Sequence, residues 1–106
     1  MNTQRIVELP HRTIISRSPF TGSVLKEFEQ HSDQALEEKL QRAIETFRTY
    51  RETSFAERSR MMLRAAEILE SEKEKFGALM TREMGKTLKS AIQEAEKSAL
   101  GCRFYA

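Results

Sequence analysis

Polar and apolar positions change rhythm near residue 30. Before that point the pattern is short and β-like. Thr13, Ile14 and Ile15 are β-branched, which favours a strand. Ser18-Pro19-Phe20-Thr21-Gly22 follows. Proline presets the φ that a turn needs, and Gly22 tolerates positive φ. Ser23 to Phe28 then places Val24, Leu25 and Phe28 on a second strand. A short β-hairpin over about 13–28 is predicted. An isolated hairpin is marginal in water, so it is expected to lie on something larger.

From about residue 33 the period becomes helical. Both prolines, Pro10 and Pro19, lie behind this point. Leu36, Leu40, Ala43, Ile44 and Phe47 form one stripe, which predicts a first helix over Asp33 to Arg51 with Ser32 as N-cap. Ser54-Phe55-Ala56-Glu57 fits a capping box and opens a second helix. Its buried side is expected to hold Phe55, Met62, Ala65, Ala66 and Leu69. Ser71-Glu72-Lys73-Glu74 repeats the pattern. It either starts a third helix or is a chance match inside a longer one. The third helix carries Phe76, Leu79, Met80 and Met84, and Gly85 is placed to end it in the left-handed conformation. A fourth helix from near Thr87 carries Leu88, Ala91, Ile92, Ala95, Ala99 and Cys102. It reaches Ala106 with no closing glycine or proline, so the last element looks cut. The fold class expected is mainly α with a short amino-terminal β-hairpin.

Composition narrows the classes more than it names a function. A chain of 106 residues holds one domain at most. Net charge +2, with both signs intermixed, gives no electrostatic reason to expect a nucleic acid. No apolar run is long enough for a membrane span or a secretory signal. One cysteine excludes an internal disulfide. Cys102 lies on the apolar stripe of the fourth helix, where an apolar site makes a thiol inert, and is read as a packing residue. His11 and His31 have no His or Cys at metal-binding spacing. Gly85-Lys86-Thr87 resembles the tail of a phosphate loop, but position 80 is Met80 and a helix precedes it, so that reading fails. The pairs Glu37-Glu38, Glu72 with Glu74, and Glu94 with Glu96 sit among lysines and arginines as a solvated, ion-paired face. Arg58, Arg60 and Arg64 fit an intramolecular salt-bridging face better than an anion site, and Met61 and Met62 are packing residues.

Three segments resemble the amino-terminal part of the aldehyde dehydrogenase superfamily. Ser18-Pro19-Phe20-Thr21-Gly22-Ser23-Val24-Leu25 is similar to its Asn-Pro-x-Thr-Gly-x-x-Leu turn, with Ser18 at the asparagine. Phe47-Arg48-Thr49-Tyr50-Arg51, Phe55-Ala56-Glu57-Arg58 and Leu63-Arg64-Ala65-Ala66-Glu67-Ile68-Leu69 follow in order. Met80-Thr81-Arg82-Glu83-Met84-Gly85-Lys86-Thr87-Leu88 is similar to a stretch where the family has Glu-x-Gly-Lys-Pro, with Thr87 in the proline's place. Ala91, Glu94, Lys97 and the ending Cys102-Arg103-Phe104-Tyr105-Ala106 continue the match. The resemblance spans roughly 13–106 and is strongest to bacterial succinate-semialdehyde dehydrogenases.

That resemblance implies residues 1–106 are the truncated amino-terminal segment of a coenzyme-binding domain, part of an α/β fold without its Rossmann sheet. It implies oxidation of an aldehyde to an acid. A cysteine thiolate attacks the carbonyl, hydride passes to NAD or NADP, and a glutamate assists hydrolysis. Those groups lie downstream of Ala106 in the family. No residue here is assigned as catalytic, cofactor-binding or metal-ligating. Cys102 is not the family's nucleophile, and Lys86 takes no catalytic role. The chain alone is expected to be inactive, to bind no cofactor, and to be cytoplasmic. Its expected partners are the rest of the fold, a full-length homologue or a second copy, and neither nucleic acid nor membrane. It is expected to be helical but loosely packed in isolation. A free-standing helical interaction module is the alternative; a nucleic-acid binder is a third reading, disfavoured by the charge balance.

Overall fold

A computed structural model describes residues 13–106; Pro10, His11 and the rest of residues 1–12 lie outside the described range. Two strands come first, β1 (Thr13–Arg17) and β2 (Val24–Glu29), paired antiparallel. Thr13 faces Glu29 and Ser16 faces Lys26, but Arg17 faces Val24. Leu25 is therefore an extra residue, a bulge beside the turn. The turn is built as its residues demand. Gly22 has φ 73°, and its amide donates to the Ser18 carbonyl at 2.8 Å. The Ser18 hydroxyl accepts from the amides of Phe20 and Thr21, both at 3.3 Å.

Four helices follow: α1 (Asp33–Tyr50), α2 (Phe55–Ser71), α3 (Lys73–Met84) and α4 (Leu88–Tyr105). Three begin on side-chain caps. Ser32 accepts from the Ala35 amide at 3.1 Å. Ser54 and Glu57 form the reciprocal box: the Glu57 amide donates to the Ser54 hydroxyl at 3.2 Å, and the Ser54 amide donates to the Glu57 carboxylate at 2.8 Å. Thr87 accepts from the Ser90 amide at 3.4 Å, so the residue that replaces the expected proline starts α4 as a cap. Gly85 ends α3 at φ 71°, as predicted.

The second Ser-x-x-Glu pattern forms no cap. The Ser71 hydroxyl donates to the Ile68 carbonyl at 3.2 Å, and α3 starts without a side-chain hydrogen bond. Backbone bonds run through the junction: the Glu72 amide reaches the Ile68 carbonyl at 3.0 Å and the Phe76 amide reaches the Glu72 carbonyl at 3.1 Å. The chain is interrupted at the single turn residue Glu72, and α3 starts there with no side chain on its first amides.

Packing centres on α4, which lies against both α2 and α3. The residues buried there are small: Ala66, Gly77, Ala91, Ala95 and Ala99. Ala91, Ala95 and Ala99 lie one turn apart and make a flat seam that lets helix backbones approach closely. That seam corrects several expectations. Phe55 is 87% exposed and Met84 72% exposed, and Met62, Leu79 and Leu88 also face outward. Small residues take the close approach, so larger neighbours on the flanks have nothing above them. The stripe of α1 meets the same fate. Leu36, Leu40, Ile44 and Phe47 are all exposed, and α1 buries no residue. The α-carbon extents are 58 × 47 × 14 Å, a slab one helix thick.

Candidate functional site

The motif around Gly85 lies where three elements meet. The end of α3, the start of α4 and the hairpin turn come together there. The Ser16 hydroxyl donates to the Glu83 carboxylate at 2.9 Å. A Cβ on Gly85 would stand 3.0 Å from Cγ of Pro19. Lys86 is ion-paired to Glu94, one turn and more into α4. Its ammonium is thereby committed to holding a helix start. The site consists of a proline wedge, a left-handed glycine and two polar ties. Its contacts among the described residues join helices and hairpin.

Two interhelical ion pairs fix α4 in its seam. Lys73 meets Glu96 at 2.7 Å. Arg103 grips Glu70 through two nitrogens, at 2.9 and 2.6 Å. The fork geometry suits arginine. The hydrogen bond from Arg103, with its charge behind it, holds the Glu70 carboxyl below the usual glutamate range, and the bond to Glu96 raises the Lys73 ammonium. All four groups are well exposed to water, which screens such pairs heavily.

Arg58 makes the elbow between α1 and α2. Its guanidinium donates to the Arg51 carbonyl at 3.0 Å and to the Thr53 hydroxyl at 2.9 Å. It also lies 5.4 Å from the Tyr50 ring centre and 5.8 Å from that of Phe55. It thus ties off a carbonyl at the end of α1 that no helical amide can reach. Arg64 pairs with Glu67 at 2.9 Å. The intramolecular reading of the basic stretch therefore fits Arg58 and Arg64. The elbow itself was not legible from spacing, nor were the long-range pairs of Glu70 and Glu96. A contact between helices has no fixed sequence interval.

Cys102 is half-buried on α4 and His31 is exposed. Among the described residues no three of His, Cys, Asp and Glu gather as a metal site. Two open surface depressions, of about 390 and 470 Å³, are each walled by one helix alone: Glu37, Glu38, Gln41, Arg42 and Glu45 on α1, and Glu57, Arg60, Met61 and Arg64 on α2. A single helix cannot enclose a ligand. No helix of the described residues is long and apolar enough to cross a membrane. What the surface does offer is apolar area without cover, above all on α1.

Acid should loosen this arrangement in a defined direction. The Ser54 amide and then the Ser54 hydroxyl hold Glu57 below the ordinary glutamate range, as Arg103 does Glu70. A carboxyl whose folded pKa is depressed stabilises the fold above its unfolded value and loses that contribution as pH falls through the folded one. Helix signal in far-UV circular dichroism should therefore fall as pH drops below about 4.3. In the double variant Glu57→Gln, Glu70→Gln the signal at neutral pH should be lower and the acid-induced drop smaller. An unchanged acid profile in that variant would refute the assignment.

Comparison with known proteins follows the same outline. Residues 6–106 match the aldehyde dehydrogenase family. A probable NADP(+) succinate-semialdehyde dehydrogenase of Synechocystis sp. is 44% identical over 93 residues, covering 88% of this chain and 20% of that protein. An aldehyde dehydrogenase of Paenarthrobacter nicotinovorans is 46% identical over the same coverage of 88% and 20%. An NADP(+) succinate-semialdehyde dehydrogenase of Mycobacterium leprae is 42% identical over 94 residues, 89% of this chain and 21% of that protein. The chain belongs to the aldehyde dehydrogenase family, and it spans about a fifth of the length of these relatives.

Proposed function

We propose that this chain is the amino-terminal scaffold segment of a cytoplasmic aldehyde dehydrogenase of the succinate-semialdehyde type, belonging to the coenzyme-binding domain of an α/β fold whose Rossmann sheet lies outside it. The whole enzyme would oxidise an aldehyde to a carboxylate with NADP or NAD. The observation that carries the reading is the 44% identity over 93 residues to a protein named for that activity. The geometry supports it. Every polar contact at Gly85, Lys86 and Glu94 organises helices and hairpin, as a scaffold requires, and the apolar stripe of α1 awaits a second layer. A layer one helix thick is half of the two-layer arrangement from which domains are built. On this reading the segment contributes no catalytic, cofactor-binding or metal-ligating residue, and its partner is the rest of the fold.

A chimera tests this. The matching fifth of the Synechocystis relative is replaced by residues 13–106 of this chain. The expected product is folded and reduces NADP with succinate semialdehyde at a rate within about tenfold of its parent, since remote scaffold changes rarely cost more than a few kcal/mol. The separate chain should show no turnover under the same assay. A folded chimera that binds NADP yet oxidises no aldehyde would overturn the proposal, as would turnover by the separate chain.

A further inference from the structure

We draw no further inference here: the strongest candidate, the apolar surface patch of Leu36, Leu40, Ile44 and Phe47 along α1, is the face that the proposed function already gives to the rest of the fold, and nothing in the structure shows another occupant for it.

Discussion

Gly77→Leu should drive α3 away from α4 and cost about 3 kcal/mol or more, the upper range of overpacking in a tight core. A Cβ at Gly77 would stand 2.7 Å from Cγ1 of Ile92, 3.1 Å from its amide nitrogen and 3.3 Å from its Cα. The first neighbour belongs to a side chain and can turn away. The other two are backbone and cannot, short of moving α4. Helix propensity argues the opposite way, since glycine inside a helix costs up to about 1 kcal/mol relative to alanine. The clash is the larger effect for leucine, while for alanine the two terms nearly offset. Urea unfolding followed at the helix band should show Gly77→Leu strongly destabilised and Gly77→Ala within about 1 kcal/mol of the parent. A leucine variant as stable as the parent would mean that α3 and α4 are not held in this seam.

Gly85→Val should cost about 2–3 kcal/mol, through two separate causes. At φ 71° a β-branched residue is forced into the left-handed region. Its Cβ would also press on Pro19, whose Cγ lies 3.0 Å away. The damage should reach beyond α3. The hairpin turn would be pushed off the junction, and the bond from Ser16 to Glu83 would be lost with it. Amide exchange should report faster exchange along β1 and β2 as well as at the end of α3. If only the α3 end responds, the hairpin is not seated on Gly85.

These two glycines also show where sequence reasoning reached and where it stopped. Gly85 was legible, because a helix that ends at a glycine after a polar turn follows a local rule. Gly77 was not, because its need for a missing side chain is set by Ile92 on another helix. The same division runs through the fold. The caps at Ser32 and Ser54 act within three residues and were readable, while at Thr87 the helix start was read but the cap was not. The alanines of α4 repeat at one-turn intervals and were placed on the packed side. Phe55, Met84 and Leu88 were assigned inward by period alone. Period tells which residues share a face; it does not tell whether anything covers it. Ser71 shows the converse: a helix does start after it, but its hydroxyl donates back to the Ile68 carbonyl and caps nothing. The family was legible as a resemblance of three segments taken together, Ser18 to Leu25, Phe47 to Leu69 and Met80 to Leu88 with the ending to Ala106; the first and third meet at the Gly85 junction. Arg58 lies in the second of those segments, but its contacts to Tyr50, Arg51 and Thr53 were not legible from spacing.

That elbow gives α1 a mechanical character. The helix has 18 residues, about 27 Å of rod, fastened by Arg58 at its carboxyl end and joined to β2 through residues 30–32 at its amino end. A rotation of about 10° at Arg58 would sweep its far end through about 5 Å. Small adjustments among Arg51, Thr53 and Tyr50 are therefore magnified where Leu36 and Leu40 present themselves. Because residues 30–32 tie that far end to the hairpin, the angle set at Arg58 and the seat of the hairpin at Gly85 are mechanically linked, and a change at either would be felt at the other.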